Sequence, residues 1–312
     1  MNWTNIAINL GILLYILTIL AIIYTIILEN RNPVRTLAWM LVLILVPGIG
    51  LFFYIYFGMN YRKIKMFSMK GLGDFKWLQY MSEDQKQRIK KTELLKKEDM
   101  EAVKPLMTLL LNNSKALLSR NNTVEILNNG EATFSSIFKA IAKAKKYIHL
   151  EYYIIDKGEL GEQLKELLIA KAQEGVEVRV IYDDVGSWKL PKRYIKEMQA
   201  AGIQIYPFLP VRFPLFTNKV NYRNHRKIVV VDGDTGFIGG LNFADRYLHG
   251  LPGIGIWRDT HLKVKGEAVT SLQVVFLFDW YFVRQELLLN KAEYLPNKKV
   301  DGNVVVQAVA SG

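Results

Sequence analysis

The chain has 312 residues, of which 50% are hydrophobic, and a formal net charge of +12 at pH 7. This length fits one domain plus a membrane segment. The absence of cysteine excludes a disulfide framework and a thiolate metal site. The excess of positive charge indicates an acidic partner, for which nucleic acid and anionic lipid head groups both qualify.

The first 60 residues predict a membrane hairpin. The apolar run 6–28 carries no charged side chain and is long enough to cross the hydrocarbon core. A cleaved signal peptide is the alternative, but the sequence lacks a basic leader and a small-residue cleavage site. A second uncharged run, residues 36–61, holds Pro47 and two glycines near its middle, so it either spans the membrane with a kink or re-enters it.

A segment rich in charged residues, 61–120, follows the hairpin. Basic residues come directly after Tyr61, so the positive-inside rule places the rest of the chain in the cytoplasm. This arrangement predicts a multi-pass protein of the cell membrane. The segment itself predicts a solvated helical linker; the alternative is that its lysines and interleaved aromatic residues bind anionic head groups.

Residues 121–312 predict an α/β domain, because strand and helix patterns alternate there. The predicted strands are residues 123–127, 147–155, 176–182 and 203–206, and the predicted helices are residues 131–146, 160–174 and 194–201. This order predicts mixed or parallel strand pairing. Asp279 and Arg284 interrupt the apolar run 268–285, which therefore predicts a packed core helix rather than a third span. The final strand pattern, residues 303–311, is expected to lack partners.

The most specific pattern in the chain is His-x-Lys-x4-Asp, formed by His225, Lys227 and Asp232. The β-branched run after Lys227 predicts a buried strand. Because side chains alternate along a strand, His225 and Lys227 are expected on the same face. An imidazole beside an ammonium suits an anionic phosphorus centre, since the imidazole attacks phosphorus and the ammonium neutralises the charge on its oxygens.

A second short strand, 235–238, leads into Gly239, Gly240 and Asn242. The glycines allow the backbone to approach a phosphate closely, and Asn242 offers an amide donor without adding charge. These residues therefore predict a phosphate-binding turn beside the His–Lys pair.

This pattern resembles the HKD signature of the phospholipase D superfamily. Segments 148–156, 175–187, 221–233 and 257–269, together with the hairpin text 32–58, are similar to bacterial cardiolipin synthases. The resemblance implies a phospholipase D-like mixed-sheet domain that follows a transmembrane helical hairpin. It also implies a catalytic signature of His225, Lys227 and Asp232, with Asp232 expected to hold the strand and its loop rather than touch substrate, and no cofactor.

The resemblance implies a phosphatidyltransferase that condenses two phosphatidylglycerol molecules to cardiolipin plus glycerol through a phosphatidyl-histidine intermediate. A hydrolase of the same superfamily and an inactive membrane-anchored half remain as alternatives. The implied partners are phosphatidylglycerol and the membrane, without nucleic acid. Members of the family carry two signatures, and this chain has one. Residues 121–312 are therefore expected to be the first catalytic half of a longer enzyme, truncated before the second, or half of a homodimer.

Three further residues bear on the site. The resemblance matches Asp259 to the carboxylate that orients His225; pairing with its neighbour Arg258 is the alternative. Glu151 lies on a predicted strand near the site and is a possible pocket residue. His261 opens a second His-x-Lys, but no aspartate follows at the required spacing, and we interpret it as part of a structural strand. The spacing of His, Asp and Glu residues predicts no metal site.

Overall fold

The computed structural model describes residues 3–28, 33–46, 49–54, 83–87, 102–211, 223–288, 292–296 and 300–310. The basic run after Tyr61 and most of the predicted linker lie outside these residues. The chain forms two compact units, Met1–Ile64 with Val211–Asn221, and Lys65–Pro210 with Tyr222–Gly312. The predicted division at residues 60 and 120 stays a prediction.

Helix α1 (Trp3–Leu28) dominates the first unit. Its 26 residues extend over about 39 Å, which exceeds the ~30 Å hydrocarbon core. Ile8, Leu13 and Leu20 are each more than half exposed, so apolar side chains project outward along its length. Of the helices in the described ranges, α1 is the one long and apolar enough to cross a membrane. The length and composition predicted for a spanning helix are therefore confirmed.

The second apolar segment folds back on itself. It consists of α2 (Pro33–Leu45) and the five-residue α3 (Ile49–Phe53). The rings of Trp39 and Tyr54 pack edge to face with centroids 5.5 Å apart, whereas a straight helix would separate these residues by about 22 Å. Glycine at position 50 permits α3 to approach α2 this closely, because a Cβ there would lie only 2.7 Å from the Val42 carbonyl oxygen. This geometry favours the alternative in which the second apolar run re-enters the membrane over the one in which it spans it.

The second unit is built on an eight-stranded sheet in the order β4-β3-β2-β5-β6-β7-β1-β8. Its strands are β1 (Leu118–Asn128), β2 (Tyr147–Tyr152), β3 (Glu177–Asp183), β4 (Gln204–Phe208), β5 (Lys227–Val231), β6 (Thr235–Gly239), β7 (Thr260–Gly266) and β8 (Val304–Gln307). β2, β3 and β4 run parallel, and the other neighbouring pairs are antiparallel. The predicted α/β class with a mixed sheet is confirmed.

Helices cover both faces of the sheet. They are α4 (Lys104–Ser114), α5 (Asn129–Ala142), α6 (Glu159–Gln173), α7 (Lys192–Ala200), α8 (Arg246–His249) and α9 (Ala268–Arg284), with a 3-10 turn at Ala292–Tyr294. One apolar core lies under α5, α6 and α7, and another lies under α9. β5 is buried on both faces, which explains its uninterrupted β-branched sequence. Phe276 and Trp280 of α9 are fully buried, so the predicted core helix is confirmed.

The structure corrects the expectation that the last strand lacks a partner. β8 pairs antiparallel with β1, with Leu118 opposite Gln307 and Asn122 opposite Val304, so it does not lack a partner. The reason is that β1 begins at Leu118, five residues before the predicted start, and this extension supplies a pairing edge. The Asn122 amide also donates to the Val304 carbonyl at 3.0 Å. Val304 and Val305 are each 37% exposed, so the strand is not a buried one.

Candidate active site

Seven strands have an end at one edge of the sheet. β1, β2, β3, β4 and β6 end there, and β5 and β7 begin there. Lys227, the first residue of β5, stands opposite Tyr152 at the end of β2. In α/β sheets, ligand sites form at the carboxyl ends of the parallel strands. The first two residues of the signature lie at this edge.

The structure brings His225 and Lys227 into direct contact. The Lys227 Nζ lies 3.0 Å from the His225 Nδ1 and donates a 2.7 Å hydrogen bond to the His225 carbonyl oxygen. The ring centroid of Tyr153 lies 4.5 Å from that of the imidazole and 5.2 Å from the ammonium. Lys227 is 3% exposed, whereas His225 reaches the surface. Sequence spacing indicated the pair but carried no signal for Tyr153.

The electrostatic surroundings favour a neutral imidazole beside a cation. Partial burial and the charge of Lys227 lower the pKa of His225, and the charge of Asp183 opposes them. His225 is therefore neutral near pH 7. Burial lowers the pKa of Lys227 to about 8, partly offset by the charge of Asp259, so the ammonium keeps most of its charge at pH 7. This combination suits nucleophilic attack on an anionic phosphorus centre.

Asp232 lies at the far end of β5, about 16 Å along the strand from Lys227. Its carboxylate accepts hydrogen bonds from the backbone N–H groups of Lys145, Lys146 and Tyr147 at 2.8, 2.8 and 3.0 Å. Its own backbone is left-handed, with a φ of 50°. The signature aspartate therefore ties β5 to the start of β2 and is separated from the His–Lys pair.

Asn242 is 2% exposed, and both ends of its side-chain amide are hydrogen-bonded to other protein groups. Its amide donates a 2.8 Å hydrogen bond to the Tyr247 hydroxyl, and its oxygen accepts one of 3.1 Å from the Ile154 N–H. This geometry favours a positioning role over the predicted contact with phosphate. Gly240 lies against the Asp259 carboxylate, and a Cβ at this glycine would collide with it.

The predicted contact between Asp259 and His225 is absent. Among the described residues, no hydrogen bond or ion pair joins them. The Asp259 carboxylate accepts a 2.6 Å hydrogen bond from the adjacent Thr260 N–H. Asp259 acts electrostatically on Lys227 and His261 instead. The carboxylate whose charge acts on His225 is that of Asp183, buried at the end of β3.

Glu151 lies beneath the site and not in an open pocket, which corrects the sequence prediction. It is 1% exposed, and its carboxyl group accepts a hydrogen bond from the Asn224 amide. Side chains alternate along β2, so Glu151 faces α9 while Tyr152 packs in the opposite core. Asn224, adjacent to the signature histidine, is a residue that sequence reasoning missed, because its neighbours in the sequence are polar as well and nothing there marks it as buried.

His261 is fully buried on β7. Lys227, Gly239 and His261 follow one cross-strand row, and the imidazole rests on Gly239. Neither ring nitrogen has a hydrogen-bond partner in the part of the chain that the structure describes. Burial lowers the pKa of His261 to about 4, so the ring is neutral. Its burial agrees with the interpretation of a structural strand. Within the same described residues, no group of three His, Asp or Glu side chains is arranged to hold a metal ion.

Comparison with known proteins gives matches over the segment that holds the signature. Residues 137–268 match the family described as "Cardiolipin synthase, PLD-like domain", and residues 16–58 match "Phospholipase D-nuclease N-terminal". A cardiolipin synthase of Geobacillus sp. is 45% identical over 297 residues, which cover 95% of this chain and 58% of the relative. Cardiolipin synthase 2 of Bacillus cereus is 46% identical over 290 residues, which cover 91% of this chain and 55% of the relative.

The chain thus spans little more than half the length of these relatives. Among solved structures, the phospholipase D family member Nuc from Salmonella typhimurium aligns with a TM-score of 0.40 and 19% identity. That alignment covers 52% of this chain and 97% of Nuc. The sequence matches show that residues 137–268 form a phospholipase D-like domain of the cardiolipin synthase family.

Proposed function

We propose that the second unit acts in a phosphatidyltransferase, which condenses two phosphatidylglycerol molecules into cardiolipin and glycerol. The observation that carries the proposal is the neutral, surface-reaching imidazole of His225, held 3.0 Å from the Lys227 ammonium. The names of the relatives support the substrate class. The α/β unit faces the cytoplasm, with α1 across the cell membrane beside a second apolar segment.

The reaction proceeds in two displacements. In the first, a ring nitrogen of His225 bonds to the phosphorus of one phosphatidylglycerol, the bond from phosphorus to the glycerol oxygen breaks, and that oxygen takes a proton. In the second, the headgroup hydroxyl of another phosphatidylglycerol attacks phosphorus and loses its proton. The phosphorus–nitrogen bond then breaks and restores the imidazole. A second signature, from another half or a second copy of the chain, supplies the general acid.

The contact between His225 and Lys227 sets the tautomer. An ammonium only donates, so its contact with Nδ1 requires a lone pair there and places the ring proton on Nε2. Attack through Nε2 therefore requires Lys227 to leave Nδ1. A phosphodiester oxygen is a stronger, charged acceptor for that ammonium, so substrate binding both recruits Lys227 and frees the ring to change tautomer.

The test measures cardiolipin, glycerol and phosphatidic acid together from phosphatidylglycerol in mixed micelles. The chain is assayed alone and after co-expression with the carboxyl-terminal half of the Geobacillus relative. We expect equal amounts of glycerol and cardiolipin. Phosphatidic acid in place of cardiolipin would indicate the hydrolase instead.

Histidine variants test the nucleophile. His225→Ala should abolish turnover. His249→Ala should retain it, because this exposed histidine pairs with Glu159 at 3.1 Å and not with the signature. His261→Ala should also retain most activity, since the ring is buried and neutral. Full activity in His225→Ala would refute the assignment.

A further inference from the structure

Three buried carboxyl groups surround the segment that carries the proposed nucleophile. Glu151 comes from β2, Asp183 from the end of β3, and Asp279 from α9. We name them the carboxylate clamp. All three are at most 8% exposed, and their acceptor atoms converge on Asn224, the residue before His225.

The hydrogen bonds of Asn224 tie it to the three clamp carboxyl groups and to the backbone that follows His225. Its backbone N–H donates to Asp183 Oδ2 at 2.9 Å. Its side-chain nitrogen donates to Glu151 Oε1 and, at 3.4 Å, to Asp279 Oδ2. Its side-chain oxygen accepts from the Arg226 N–H at 3.1 Å. The backbone on both sides of His225 is therefore held by buried groups.

The charges in this cluster do not balance if both Glu151 and Asp279 are ionised. The two carboxyl groups share one amide nitrogen, and the cation that reaches them is Arg226, through Asp279. Asp183 is paired separately with Arg223 and with the N–H groups of the following turn. One proton shared by the two carboxyl groups would remove the excess negative charge, which is costly in a buried site.

An orphaned atom supports a protonated Glu151. Its Oε2 is buried and receives no hydrogen bond from any described donor, and the Asp279 side chain lies within hydrogen-bonding reach of the Glu151 carboxyl group. Burial and the charge of Asp279 raise the pKa of Glu151 well above its usual range. His149, two residues earlier on the same face of β2, faces Gln273 and Arg179 instead.

We propose that Glu151 is a positioning residue for the nucleophile: Glu151 and Asp279 hold one proton between them and, through Asn224, fix the backbone of His225. The functional meaning of this clamp rests on the proposed role of His225 as nucleophile. A displacement of the nucleophile by about 1 Å lowers rates on the order of a hundredfold, so a rigid support for His225 has a direct catalytic consequence.

The experiment compares Glu151→Ala, Glu151→Gln and His149→Ala in the whole chain in detergent. His149→Ala is the matched control, since it empties space between the same strand and helix without touching Asn224. Hydrogen exchange at the Asn224 and Arg226 amides should quicken about 10- to 100-fold in Glu151→Ala, because the buried Asn224 side-chain amide loses the acceptor that holds it. Glu151→Gln, which mimics the protonated acid, and His149→Ala should exchange within about threefold of wild type.

Wild-type exchange in Glu151→Ala would overturn the positioning role, and Glu151→Gln as fast as Glu151→Ala would overturn the shared proton. If Glu151→Ala does not fold, Asn224→Ala replaces it, and unchanged exchange at the Arg226 amide then refutes the clamp. Formation of the phosphatidyl adduct is measured in parallel and should slow about a hundredfold in Glu151→Ala, with KM unchanged. If exchange responds as expected but wild type forms no adduct, the clamp stands and the proposed activity fails.

Discussion

Lys227 is the residue at which function and stability should oppose each other most clearly. It is 3% exposed, and burial lowers its pKa from 10.5 to about 8. The folded state therefore pays for carrying an ammonium at pH 7. Replacing it by methionine keeps the length of the side chain and removes the charge. We expect Lys227→Met to be inactive and more stable than wild type.

The magnitude follows from the shift in pKa. A difference of about 2.5 units at 1.36 kcal/mol each corresponds to ~3 kcal/mol. Methionine forfeits the hydrogen bond from Lys227 to the His225 carbonyl oxygen, which contributes about 1.5 kcal/mol. The free energy of unfolding of the variant should therefore be about 2 kcal/mol higher than that of wild type at pH 7.

The pH dependence has a defined sign. Between about pH 8 and 10.5 the unfolded chain binds more protons at Lys227 than the folded chain, so wild-type stability rises with pH in that window. The advantage of Lys227→Met should be complete below about pH 8 and then fall by about 1.4 kcal/mol per pH unit. It should reach zero at about pH 9.5 and be reversed by about pH 10.5, where only the lost hydrogen bond remains.

Denaturant unfolding in detergent, followed by tryptophan fluorescence from pH 7 to 10.5, measures the difference between variant and wild type. Lys189→Met, at an exposed position, controls for the loss of a positive charge and should change stability by less than about 0.5 kcal/mol. A variant less stable than wild type at pH 7, or a difference that does not depend on pH, would refute the reasoning.

Three further outcomes are expected. Asp232→Ala removes the acceptor for three backbone N–H groups and should lower the free energy of unfolding by about 2–4 kcal/mol; wild-type stability would contradict its structural role. Gly240→Ala should displace the Asp259 carboxylate, lower the pKa of Lys227 further and shift the alkaline limit of activity to lower pH, whereas an unchanged pH profile would show that Asp259 does not act on Lys227. Protease added outside intact cells should leave residues 121–312 uncut, and cleavage there would overturn the cytoplasmic placement.

Local sequence patterns determined the elements of the fold and the centre of the site. The β-branched run of β5 and the long apolar run of α9 indicated their own secondary structure, because elements buried in the core carry few polar residues and differ in length and in β-branched content. His225 and Lys227 were predictable as a pair because they are two residues apart at the start of one strand. The extension of β1 to Leu118 was missed, since residues 118–122 are largely polar and resemble a loop.

Only the tertiary structure decided which carboxyl group reaches which partner. Asp259 was expected at His225 and instead acts electrostatically on Lys227. Asp183 and Glu151 converge near the nucleophile. The contacts that the clamp makes with Asn224 join residues 41 to 73 positions apart. Such contacts depend on the register of β2 with β5 and on the seating of α9 against both. Neither leaves a period or a spacing in the sequence, because strand register and helix packing are set by the summed burial of many side chains at once.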